Sequence, residues 1–209
     1  MQIKRVAIFA SGRGSNAEAL FKKALRLPNI SIELLLCDQP QAAVLNKAHK
    51  YGVQNIVLPF PSKTLNSSLK ERRIEYGTQL IQNLTACQID WILLAGFMRI
   101  LPRPFLHHFK SPCGLSRVIN IHPSLLPKYK GLNGYKQCFE AADPIGGVTV
   151  HFVDDSLDGG HVIQQKAFPR LHSDTLDTFT QRGLALEHKM YCALLDDLAH
   201  DRHVFSLFK

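Results

Sequence analysis

The chain has no apolar run near the ~20 residues that a membrane-spanning helix needs, and we expect no membrane partner. Cysteine is scarce: Cys37, Cys87, Cys113, Cys138 and Cys192 form no Cys-x-x-Cys pair and no metal-binding spacing. That pattern suits free thiols in a reducing, cytoplasmic setting, and no metal is expected. Gly-x-x-x-x-Gly-Lys-Ser/Thr is missing, and so is the third glycine of Gly-x-Gly-x-x-Gly. Neither a triphosphate loop nor a dinucleotide fingerprint is present. There is no Gly-x-Ser-x-Gly elbow and no cysteine set beside a histidine, so a covalent nucleophile is disfavoured. Internal repeats, low-complexity linkers and basic runs interleaved with aromatics are also missing, and nucleic acid is not an expected partner. The apolar part of the opening stretch, MQIKRVAIFASGRGSN, is too short for a secretory signal.

What the chain does carry is positive charge and a regular alternation. Lys and Arg number 25 against 17 Asp and Glu, a net charge of +8. That excess favours anionic ligands such as phosphates and carboxylates. Apolar runs at 4–10, 31–37, 54–60, 89–97, 117–122, 146–154 and 161–168 read as strands. Periodic stretches at 16–27, 42–52, 65–87 and 174–199 read as helices, the third capped by Asn66 or Ser67. Strand–helix alternation predicts an α/β fold: a Rossmann-like, doubly wound, mostly parallel sheet with helices on both faces. Closely spaced strands in the second half add antiparallel or mixed pairing. All 209 residues read as one domain, and 110–117 is a loop of turn formers.

Two stretches carry chemistry. In FASGRGSNAEAL, Gly12, Gly14, Ser15 and Asn16 join the first strand to the first helix. Glycines let backbone N–H groups approach an anion, and the helix start is partly positive. A monophosphate site is expected; the alternative is a tight turn in which Ser15 or Asn16 caps the helix. In INIHPSLLPKYKG, Asn120 and His122 are two apart at a strand end, so they face one side. A carboxamide N–H can stabilise an oxyanion and an imidazole can move a proton, which suits attack on a carbonyl. The DDSLDGG stretch offers Asp154, Asp155 and Asp158 as carboxylates for that imidazole. His107 and His108 read as a solvated helix end, and His151 as a buried, hydrogen-bonded histidine behind the site.

Taken together, SGRGSN, AGFMRIL (95–101), NIHPSLLPKYKG (120–131), HFVDDSLDGG (151–160) and LEHKMY (186–191) make the chain resemble the folate-dependent formyltransferases over nearly its whole length. The GSN loop and chain length resemble the branch that acts on glycinamide ribonucleotide (GAR). The resemblance implies transfer of the formyl group of 10-formyltetrahydrofolate to the amine of GAR in purine synthesis. It implies Asn120, His122 and Asp158 as the catalytic trio. It assigns Gly14, Ser15, Asn16, Pro123 and Glu187 to GAR, with Glu187 at the ribose hydroxyls. Arg73, Met98, Arg99, Ile100, Leu101, Val153 and Asp154 fall to the folate. A nucleotide-binding half (about 1–100), a folate and catalytic half (about 101–209), a monomer or homodimer, and a cis Leu126–Pro127 bond are implied as well. Two positions depart from the pattern: Leu184, often Lys or Gln, and Tyr135, often His. The readings still open are a sugar-nucleotide formyltransferase, a formyltetrahydrofolate hydrolase (which usually has a second His where Pro123 stands), and a non-catalytic nucleotide-binding module.

Overall fold

The computed structural model describes residues 3–65 and 67–208. β1 (Lys4–Ala10), β2 (Ile30–Cys37), β3 (Asn55–Val57), β4 (Trp91–Leu94), β5 (Val118–His122), β6 (Ile145–Phe152) and β7 (Val162–Pro169) form a sheet in the order β3-β2-β1-β4-β5-β6-β7. The first five pair in parallel; β6 and β7 run antiparallel. Chain order reverses between β1 and β4, the place where open α/β sheets form a crevice at their carboxyl ends.

Strand alternation builds a core on each face. Val6, Ile8 and Ala10 of β1 point to one side, among Leu20 and Phe21 of α1 (Ser15–Ala24) and Met190 and Leu194 of α6 (Leu176–Ala199). Ala7 and Phe9 point to the other, among Tyr76 and Leu80 of α3 (Leu69–Thr85) and Phe105 of α4 (Arg103–His108). α2 (Val44–Lys50) and α5 (Gly134–Glu140) complete the first layer. The carboxyl halves of β1 and β2 are buried on both faces, which explains the unbroken apolar runs at 6–10 and 34–37.

The structure corrects the reading at several ends. Ser68, not Ser67, caps α3: its hydroxyl accepts from Glu71 N–H while Glu71 returns a bond to Ser68 N–H. Asn66 lies outside the described residues. β3 stops at Val57, ahead of Pro59, which has no N–H to give a ladder. β4 stops at Leu94, and Gly96 then turns with φ +76°. α4 and α5, of 6 and 7 residues, are too short for a periodic signal, and sequence reading passed over both. The Leu126–Pro127 bond is cis.

Candidate active site

β5 delivers Asn120 and His122 to the carboxyl edge of the sheet, where β6 lies alongside with Asn120 opposite His151 and His122 opposite Thr149. A tight turn follows at once. Ser124 N–H donates to His122 O, Ser124 Oγ donates to Lys128 O, and Thr149 Oγ1 donates to Ser124 O. These bonds fold residues 123–131 back over the histidine. His122 is 3% exposed, and its Nε2 lies 2.8 Å from Tyr129 O. A carbonyl only accepts, so Nε2 carries a hydrogen. Its Nδ1 faces Asp158 Oδ2 at 3.5 Å. Both ring nitrogens therefore face acceptors, and only the imidazolium can donate to both.

Asp158 reaches the histidine from the loop after β6. It sits at φ +47°, and its Oδ2 also accepts from Gly131 N–H at 2.7 Å. The neighbouring acids are engaged elsewhere. Asp154 Oδ1 accepts from Ser156 N–H and Oγ, and Asp155 pairs with Arg103 at 3.1 Å. Of the three candidate carboxylates, Asp158 is the one brought to His122.

The loop after β1 meets the same sheet edge. Gly14 starts α1 at φ +71°, and neither Ser15 nor Asn16 caps the helix with its side chain. A Cβ on Gly14 would lie 2.3 Å from Val44 Cγ2, so only glycine fits. The N–H groups of Ser15, Asn16 and Ala17 have no backbone acceptor among the described residues, which leaves a positive helix start. Asn16 turns away and donates to Glu187 Oε2 at 2.5 Å, leaving its own Oδ1 buried without a partner. Tyr135 Oη donates to the other oxygen, Oε1. Burial holds the Glu187 carboxyl above the ordinary carboxylate range, while the two hydrogen bonds pull it down. Its contacts tie α1, α5 and α6 into one wall.

The residues assigned to folate spread over several settings. Met98 and Ile100 are exposed, Met98 N–H donating to Ser11 Oγ. Arg99 is held by buried Asp38 at 2.5 Å and over the Phe60 ring. Leu101 is buried in the core layer with Tyr76 and Phe105. Arg73 is half-buried on α3, and its neighbour Arg72 is the one set over Phe60. Val153 N–H donates to Val118 O, and Pro123 packs beside Gly134.

Two cavities adjoin these elements. One, of about 630 Å³, borders Ser11, Gln39, Gln41 and Met98 at the carboxyl ends of β1, β2 and β4. The other, of about 420 Å³, borders Leu106, Phe152, Val153, Asp154 and His161. Neither is lined by Asn120 or His122. His151 and Tyr135 belong to the site through their contacts, yet no sequence motif flagged Tyr135 as a partner of Glu187. The antiparallel register that sets His151 against Asn120 cannot be read from one strand. Among the described residues, no group of three or more His, Cys, Asp or Glu is arranged to hold a metal ion. No helix among them is long and apolar enough to cross a membrane.

Residues 4–195 match the formyl transferase family. The chain belongs to this family. It is 36% identical over 198 residues to phosphoribosylglycinamide formyltransferase of Bacillus subtilis, covering 94% of this chain and 95% of that protein. It is 37% identical over 197 residues to human trifunctional purine biosynthetic protein adenosine-3, covering 93% of this chain but 18% of that longer protein. The crystal structure of phosphoribosylglycinamide formyltransferase from Bacillus halodurans superimposes with a TM-score of 0.83 at 36% identity, over 97% of this chain and 99% of that one. Glycinamide ribonucleotide transformylase 1 from Symbiobacterium toebii gives a TM-score of 0.84 at 32% identity, over 96% and 89%.

Proposed function

We propose that this chain transfers the formyl group of 10-formyltetrahydrofolate to the amine of GAR, the phosphoribosylglycinamide formyltransferase reaction of purine biosynthesis. The observation that carries the reading is the convergence of an amide, an imidazole and a carboxylate at the end of β5, at the same sheet edge as a helix start whose first N–H groups have no backbone acceptor among the described residues. The relatives that share almost the full chain support the choice of acceptor.

In this reading the phosphate of GAR binds the N–H groups of Gly14, Ser15 and Asn16, where free donors and the helix dipole favour an anion. The ribose hydroxyls meet Glu187 and the unpartnered Asn16 Oδ1, with Pro123 forming part of the wall. The folate lies against Met98, Arg99, Ile100, Leu101, Val153 and Asp154, with Arg73 toward its glutamate tail. Of these, Val153 and Asp154 border a cavity within the roughly 300–1,000 Å³ range of small-molecule sites. Residues up to about 100 serve the nucleotide and the rest serve the folate and the chemistry. The enzyme works in the cytoplasm as a monomer or homodimer.

The reacting amine attacks the formyl carbon directly. Asn120 donates an N–H to the developing oxyanion, an interaction worth roughly 3–4 kcal/mol in comparable oxyanion holes. His122, with Nε2 held by Tyr129 O and Nδ1 toward Asp158, adds positive charge and a proton path between the amine and the folate nitrogen. Holding both substrates in one cleft supplies much of the remaining acceleration, and no covalent enzyme intermediate is required. The test is loss of formyl from 10-formyltetrahydrofolate by the purified protein, with and without GAR. Dependence on GAR supports the reading; equal turnover without it points to a hydrolase.

A further inference from the structure

The trio rests on a fourth polar side chain that the proposed chemistry does not use. His151 lies directly across from Asn120 on β6 and is 2% exposed. Its Nδ1 is 2.9 Å from Phe152 O, and its Nε2 is 3.3 Å from Asn120 Nδ2. Asp158 Oδ1 is 3.9 Å from the same Nε2.

These contacts fix a tautomer. Phe152 O can only accept, so Nδ1 carries the hydrogen. Burial keeps the ring neutral by lowering its pKa, so Nε2 presents a lone pair. A lone pair repels a carbonyl oxygen and accepts from an amide. Asn120 is therefore turned with its nitrogen toward His151. One of its two N–H hydrogens is taken, and the second remains for the reacting oxygen. The opposite tautomer would draw Asn120 Oδ1 to the ring and change what the carboxamide offers the cleft.

We propose that His151 is a positioning residue that holds the Asn120 carboxamide in its donor orientation through the chain Phe152 O, His151, Asn120. The proposal rests on Asn120 being the oxyanion donor. It assigns His151 no contact with either substrate.

The test combines a spectroscopic readout with a mutant cycle. In the unmodified protein labelled with ¹⁵N-histidine, His151 Nδ1 is expected to resonate as a protonated ring nitrogen and Nε2 as an unprotonated one. The reverse assignment overturns the proposal, whatever the variants do. His151→Phe should lower kcat about tenfold or more while both KM values stay within about twofold. His151→Gln, which can accept from Asn120 at nearly the position of Nε2, should recover most of that loss. Residues that act as one unit are non-additive, so His151→Phe should change kcat by less than about twofold when made on top of Asn120→Ala. A full tenfold loss in that background would mean that His151 acts by another route, such as Asp158, and would overturn the inference. The failure of the underlying reading looks different: Asn120→Ala alone would then leave formyl transfer intact.

Discussion

Asp158 stands at the junction of two requirements, one conformational and one electrostatic. Its φ of +47° and its bond from Gly131 N–H hold the loop against the turn after β5, while Oδ2 also faces His122 Nδ1. Asparagine tolerates that backbone region and keeps an acceptor for Gly131, but it removes the charge. Asp158→Asn should therefore fold normally and lower kcat by about 100-fold or more, with the KM for GAR nearly unchanged, because charge complementarity counts most in the transition state. Steady-state kinetics decide it: full activity would limit Asp158 to holding the loop. The Asn120–His122 pair was legible in the sequence because residues two apart on a strand share a face. The choice among Asp154, Asp155 and Asp158 was not legible from spacing alone. It depends on which carboxylate the loop aims inward, and here Asp154 binds Ser156 and Asp155 binds Arg103.

At the scale of elements, α1 and α6 form the wall where we propose that GAR binds. The first N–H groups of α1 have no backbone acceptor among the described residues, as at any helix start, and Gly14 lets the chain turn in close against Val44 just before them. Gly14→Ala places a methyl at an unfavourable φ and within 2.3 Å of Val44 Cγ2, so the loop must move. We expect the KM for GAR to rise about tenfold or more while the KM for the folate changes little, since anion binding there depends on the backbone. An unchanged GAR KM would place the phosphate elsewhere. On α6, Gly183 faces Tyr135: a Cβ there would come within 2.3 Å of the ring. Alanine in a helix interior normally gains up to about 1 kcal/mol over glycine, whereas overpacking costs about 1–3 kcal/mol. Gly183→Ala should thus be net destabilising in a denaturation curve and should disturb the Tyr135–Glu187 bond; a gain in stability would show that Tyr135 yields freely. The long helices and buried strands were readable from their periodicity, because each buries a broad apolar face. The short α4 and α5 were not, since 6 or 7 residues cover too few turns to show a period. Nor was the Asn16–Glu187 bond, which spans 171 positions and depends on how α1 packs on α6.

Taken whole, the molecule buries polar groups that its unfolded chain would expose, and pH should reveal them. Burial lowers the pKa of both His151 and His188. An unfolded histidine takes up a proton below about pH 6.5. Over the interval down to the lower folded values, the unfolded state therefore binds more protons. The two histidines then take stability away as pH drops below about 6.5, while Glu187, whose carboxyl pKa burial raises, contributes in the opposite sense. His188→Gln should remove that ring's share, so its melting temperature should fall less than the wild type's between pH 7 and pH 5; the same change in both proteins would contradict a neutral, partly buried His188. The net charge of +8 and the free N–H groups at α1 also agree with anionic substrates. The proposed reaction puts the formyl carbon on the amine of GAR. With 10-formyltetrahydrofolate carrying ¹³C in its formyl group, GAR present and carbon resonances followed over time, we predict that the label appears as a formamide on the former primary amine of GAR, at a rate that falls in Asn120→Ala and Asp158→Asn. Label released as free formate at the same rate with or without GAR, or label that stays on the folate, would contradict it.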